Sequence, residues 1–96
     1  MHIGISIRKI RKEKFPELTQ TEFARRAGIA QTYLSQIEGG SKTPTITVLE
    51  RISKEFEIPL PIIFWYSMED KDIAENKKQL YDILKPTVDA IINNFF

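Results

Sequence analysis

Apolar residues return along most of this chain every three or four positions, the period of a helix buried on one face. Ile3, Ile7 and Ile10 recur at spacings of four and three, with Arg8, Lys9, Arg11 and Lys12 between them. The spacing predicts a first helix with a basic outer face, ending near Lys14 or Phe15 because Pro16 does not fit inside it. A second helix is predicted after Thr19. Thr19 and Glu22 have the capping-box spacing, and Leu18 and Phe23 suit a hydrophobic staple. Gly28 ends this helix, since a left-handed residue there costs glycine little. A third helix runs from about Ala30 to Glu38, with Leu34 and Ile37 turned inward and Gly39-Gly40 stopping it. Thr45 caps a fourth directly after Pro44, with Val48 or Leu49, Ile52 and Phe56 as its buried stripe. Pro59 and Pro61 break the chain, and Leu60 to Trp65 forms a short fifth helix. No strand pair with a hairpin turn appears, so the predicted fold class is all-α.

From Ser67 the pattern changes. Met68 to Asp72 reads as a polar connection into a new helix. Ile73, Leu80, Leu84, Val88, Ile91 and Phe95 then fall on one stripe, flanked by Tyr81, Ile83, Ile92 and Phe96. Pro86 is expected to kink this helix or divide it near Lys85. The chain is therefore expected to comprise a first unit, residues 1–67, and a C-terminal helical segment, residues 68–96. Leu80, Leu84, Val88, Ile91 and Phe95 are predicted to form a dimer interface, with Trp65 and Tyr66 at its edge. The competing reading is that the tail folds back over Ile62–Tyr66. A membrane-surface helix is disfavoured, because the polar face carries Asp72, Glu75, Asp82 and Asp89 rather than clustered Lys or Arg.

Composition narrows the classes of function. At 96 residues the chain holds one compact domain plus an extra element. It has no cysteine, which excludes a disulfide framework, a thiolate metal site and a Cys nucleophile. Met1 to Phe15 has no uninterrupted apolar core, and the run Ile58–Tyr66 is broken by two prolines and far short of a bilayer span. No secretory signal, no membrane association and a cytoplasmic location are the expectations. The net charge of +1 conceals an asymmetry. Residues 1–56 carry ten Lys/Arg against six Asp/Glu, and residues 57–96 carry four against seven. A basic first half suits a phosphate-bearing partner, and an acidic second half suits a segment kept away from one.

The succession of cap, staple, Ala24, Gly28, Leu34 and Ile37 resembles the helix-turn-helix of the Cro/repressor (Xre) family. The resemblance covers roughly Ile3 to Trp65. Five helices in the expected order, Ile37-Glu38-Gly39-Gly40 and Pro44 strengthen it beyond a short-window match. It implies a five-helix Cro/repressor-like DNA-binding domain with the C-terminal segment added. It also implies that helix 3 is the recognition helix, with Gln31, Thr32, Ser35 and Gln36 facing the groove. The chemistry agrees, because an amide bonds both N6 and N7 of adenine and a hydroxyl meets base edges. Gln20 matches the family's glutamine that clasps a phosphate and buttresses the recognition helix. Tyr33, Lys42 and Thr43 are the other expected backbone contacts, with Arg11 and Lys12 weaker candidates. Glu38 is read as a structural acceptor, since phosphates repel a carboxylate.

Two departures from the family pattern stand out. Phe15-Pro16-Glu17-Leu18 makes the first connection about two residues longer than usual. Ala30 occupies a position where Ser, Thr or Asp often caps helix 3, and the missing oxygen typically costs about 1 kcal/mol. No metal spacing, catalytic triad or phosphate loop is present, so neither enzyme activity nor a cofactor is expected. The function expected is a sequence-specific transcriptional regulator, repressor-like, binding double-stranded DNA at an inverted repeat as a homodimer. The alternative is an antitoxin-like interaction module whose C-terminal helix binds a different protein.

Overall fold

The computed structural model describes residues 1–96 and contains six α-helices and no strand, an all-α fold. They are α1 (Ile3–Lys14), α2 (Gln20–Ala27), α3 (Gln31–Glu38), α4 (Ile46–Phe56), α5 (Leu60–Ser67) and α6 (Lys78–Ile92). Short 3₁₀ turns at Asp70–Asp72 and Glu75–Lys77 lead into α6, and a third, Asn93–Phe95, follows it.

The helix ends follow local chemistry. Thr19 accepts the backbone N–H of Glu22 at 3.1 Å, and Thr45 accepts that of Val48 at 3.2 Å. Only half of the capping box forms, because the Glu22 carboxylate accepts the Thr19 hydroxyl rather than a backbone N–H. Helix α5 continues two residues past the expected end at Trp65. Buried Ser67 donates its hydroxyl to the Ile63 carbonyl at 2.7 Å, which holds the last turn closed. Pro86 lies inside α6, which stays one helix instead of dividing at Lys85. The carbonyl of Asp82, which proline deprives of its partner, belongs to an exposed turn where water can replace it.

Twelve apolar side chains from α1 to α5 and the α4–α5 link make the core, with Phe23, Phe56, Ile7, Ile10, Leu34 and Ile52 among the fully buried ones. Burying a side chain of this size contributes about 1.5–3 kcal/mol, so the core outweighs any cap. Helix α1 packs on α3 and α5, and α2 on α3 and α4. Ala24 of α2 is fully buried, and its small side chain suits the packing of α2 on its neighbours. The long α1–α2 connection has its own anchor. Phe15 meets the Phe23 ring at a tilt, 5.9 Å away, and stacks on Phe56 at 6.4 Å, and the Arg26 guanidinium covers it at 5.3 Å.

The tail lies back on the first unit with one face only. Tyr81 and Ile92 are buried. The Trp65 and Tyr81 rings sit 5.5 Å apart, those of Tyr66 and Phe96 5.6 Å apart. Phe95 belongs to the closing 3₁₀ turn and packs against the core of the first unit, while its carbonyl accepts Lys14 Nζ at 2.9 Å. Leu80, Leu84 and Ile91 point elsewhere and are 55%, 48% and 57% exposed. At about 100° per residue, these three fall within roughly 40° of one another and well round the helix from Tyr81 and Ile92. The single stripe read from the sequence is thus two faces, one seated and one open. Ile73 lies before α6 and belongs to neither, and Val88 is half-buried between them. No helix is long and apolar enough to cross a membrane.

Candidate nucleic-acid interface

The α2–α3 turn is made by Gly28, whose φ of 74° is left-handed. Its N–H and that of Ile29 close on the carbonyls of Arg25 and Ala24, and Arg51 of α4 donates to the Gly28 carbonyl at 3.3 Å. Ala30 then takes an extended conformation and starts α3 with no side-chain cap.

Helix α3 is sharply divided. Leu34 and Ile37 are fully buried beneath it, whereas Gln31, Thr32 and Ser35 are exposed and Gln36 is half-exposed. Tyr33 lies on the flank and packs partly against the core. Exposed Lys42 and Thr43 follow in a loop tied to the helix end, because the Gln36 carbonyl accepts the N–H of Ser41 at 2.9 Å and of Lys42 at 3.2 Å. Close approach of α1 holds the same end from behind. A Cβ on Gly4 would lie 1.9 Å from the Ile37 carbonyl oxygen, so only glycine fits.

A continuous polar chain joins this helix to α1. Arg11 grips Glu38 with two hydrogen bonds, of 2.8 and 2.9 Å. Gln20 donates to the same carboxylate at 3.0 Å and accepts from Gln31 at 2.7 Å. Gln20 therefore buttresses the recognition-helix candidate, the second of the two roles the resemblance gave it. Arg11 does not belong to the outer basic face. It is 7% exposed and two of its five N–H groups go to Glu38, itself 6% exposed, so its charge is already paired within the protein. Exposed Arg8 and Lys12 remain, lining an open groove of 720 Å³ with Thr19, Gln20, Ser35 and Gly39.

Two residues of this arrangement were not placed by the sequence, Gly4 with no role and Arg11 on the outer basic face, whereas Glu38 is the structural acceptor expected, with Arg11 and Gln20 as its donors. A signal existed. Arg11 follows fully buried Ile7 by four residues and Glu38 follows fully buried Leu34 by four, which puts each charge on an inward face.

A family profile described as helix-turn-helix matches residues 7–63, from the first core isoleucine of α1 to the buried Ile63 of α5. The immunity repressor protein of Bacillus phage phi105 is 29% identical over 92 residues, covering 83% of this chain and 62% of the phage protein. The transcriptional regulator SinR of Bacillus subtilis (strain 168) is 42% identical over 79 residues, covering 81% of this chain and 66% of SinR. Control protein C.MunI of a Mycoplasma species is 36% identical over 64 residues, 67% of this chain and 85% of the control protein. The chain thus spans less than two thirds of the length of the first two relatives. With the core, the glycine turn and the exposed α3 face on one frame, the chain belongs to the Cro/repressor-type (Xre) helix-turn-helix family of DNA-binding transcriptional regulators.

Proposed function

We propose that this chain binds a specific DNA sequence as a homodimer, with α3 in the major groove of each half-site. The observation that carries the reading is the division of α3, whose apolar side is fully buried while Gln31, Thr32, Ser35 and Gln36 are left facing outward. Amide and hydroxyl groups on an exposed helix suit base edges, and a glutamine matches the donor and acceptor of adenine. Gln20, Tyr33, Lys42 and Thr43 flank that face and contact phosphates, which fixes register without reading sequence. The half-sites form an inverted repeat with centres about one turn, ~34 Å, apart. A repressing role fits the name of the phage relative, an immunity repressor protein.

Pairing through the tail is supported by the open face of Leu80, Leu84 and Ile91, a charge-free strip on α6. The same strip favours the second reading, an antitoxin-like module that binds a different protein. Co-purification from the native host separates the two: a stoichiometric second protein favours the module, a homodimer on DNA the regulator. Selection from a random DNA pool tests the main reading. An enriched inverted repeat, with affinity falling steeply as salt rises, is expected. Enrichment of no motif together with shallow salt dependence would remove it.

A further inference from the structure

Behind the α3 face proposed to read DNA, a polar chain runs from Arg11 through Glu38 and Gln20 to Gln31. We propose that Arg11 and Glu38 are positioning residues for base recognition: they set the direction of the hydrogen bonds that orient the Gln31 amide. The inference rests on the DNA-binding reading. A carboxylate gripped by a guanidinium fork has no proton to give and accepts only. Glu38 Oε1, which already accepts Arg11 Nη2 at 2.9 Å, therefore requires the NH₂ of Gln20, 3.0 Å away. The Gln20 oxygen must then face Gln31, and Gln31 must donate to it, at 2.7 Å. One N–H and the oxygen of Gln31 are left for the groove, in a fixed order. Adenine answers that order with N7 and N6–H, whereas guanine offers two acceptors. An amide alone turns over freely between its two orientations. The buried ion pair removes that freedom from Gln20, and Gln20 removes it from Gln31.

The double variant R11M/E38L tests this, since removing both charges leaves neither unpaired and apolar replacement of a buried pair is often well tolerated. Sequence selection is run on wild type, Gln31→Ala and the double variant. Gln31→Ala identifies the base pair that Gln31 reads. At that pair the double variant is expected to lose at least about fivefold in preference, with other positions held within about twofold. Unchanged preference at that pair, or equal loss at every position, overturns the relay. Should R11M/E38L fail to fold by circular dichroism, R11M/E38Q takes its place, because an amide at 38 either donates or accepts and the direction is still lost. A wild type that enriches no motif fails the DNA reading itself, and this role with it. A wild-type motif that survives R11M/E38L unchanged fails the relay alone.

Discussion

Trp65 donates its indole N–H to an oxygen of Asp89 at 3.0 Å, joining α5 to α6, and Lys85 holds the other oxygen of that carboxylate at 2.5 Å. Burial pushes the Asp89 carboxyl up, but hydrogen bonds from Lys85 and Trp65 outweigh it and hold the group below its ordinary value. A depressed carboxylate stabilises fully above its unfolded pKa, about 4, and the contribution disappears as pH falls through the folded value. Lys85, raised by its hydrogen bond to Asp89, stays charged throughout that range. Seating of α6 is therefore flat near neutrality and weakens in acid. Trp65 is the single tryptophan, so its emission reports on this contact. Emission is expected to hold steady down to about pH 5 and to change below about 4, with Asp89→Asn altering it at neutral pH. A neutral-pH spectrum for Asp89→Asn identical to wild type overturns the assignment.

Gly4→Ala is expected to destabilise the first unit. The added methyl would meet backbone, the Ile37 carbonyl at 1.9 Å, and no rotamer change relieves it. Overpacking of this kind costs about 1–3 kcal/mol, readable as a lower urea midpoint at unchanged slope. A wild-type midpoint would show that α1 and α3 separate without cost.

Ala30→Ser is expected to stabilise the chain. Ala30 already has the extended backbone of an N-cap, φ −70° and ψ 142°, and lacks only the oxygen. Supplying it contributes about 1 kcal/mol, the reverse of a cap deletion. Thermal melting of the two proteins side by side checks the sign, and a melting temperature equal to or below wild type contradicts it.

On the proposed DNA complex, Gln36→Ala and Lys42→Ala are expected to fail differently. The first should lose about 1–3 kcal/mol and relax preference at one position, as a base contact does. The second should weaken every sequence alike and lower the salt slope by about 1, as a phosphate contact does. Binding titrations over several salt concentrations and operator variants separate the patterns. Two identical profiles would assign both residues to the same kind of contact.

Ile91→Asp is expected to break the proposed dimer without unfolding the first unit. Ile91 is 57% exposed, so a substitution there costs the isolated chain within about 0.5 kcal/mol. Sedimentation should change from dimer to monomer while helical circular dichroism persists. A wild type that is monomeric at tens of micromolar would end the pairing idea.

Most of the helix boundaries were legible because each is a local decision. Thr19 and Thr45 cap the helices that follow them, Gly28 turns left-handed where α2 must end, and the stripe of Leu49, Ile52 and Phe56 is buried as its spacing requires. Such signals lie within one or two turns of the residue they act on. The chemistry of α3 was legible for the same reason, since burying Leu34 and Ile37 fixes which residues are left outside. Arg11 was misread because its partner lies 27 residues away on another helix.

The sequence by itself determined the five helices of the first unit, their order and the outward residues of α3, because period, caps and glycine act locally. Only the tertiary structure decided how charge and apolar surface are shared between helices. It withdrew Arg11 into a pair with Glu38, ran that pair through Gln20 to Gln31, and split one apolar stripe of α6 into a seated face and an open one. The reason is physical. A helical period records that a face is apolar or a residue inward, whereas the partner it meets is set by the packing of segments far apart in the chain.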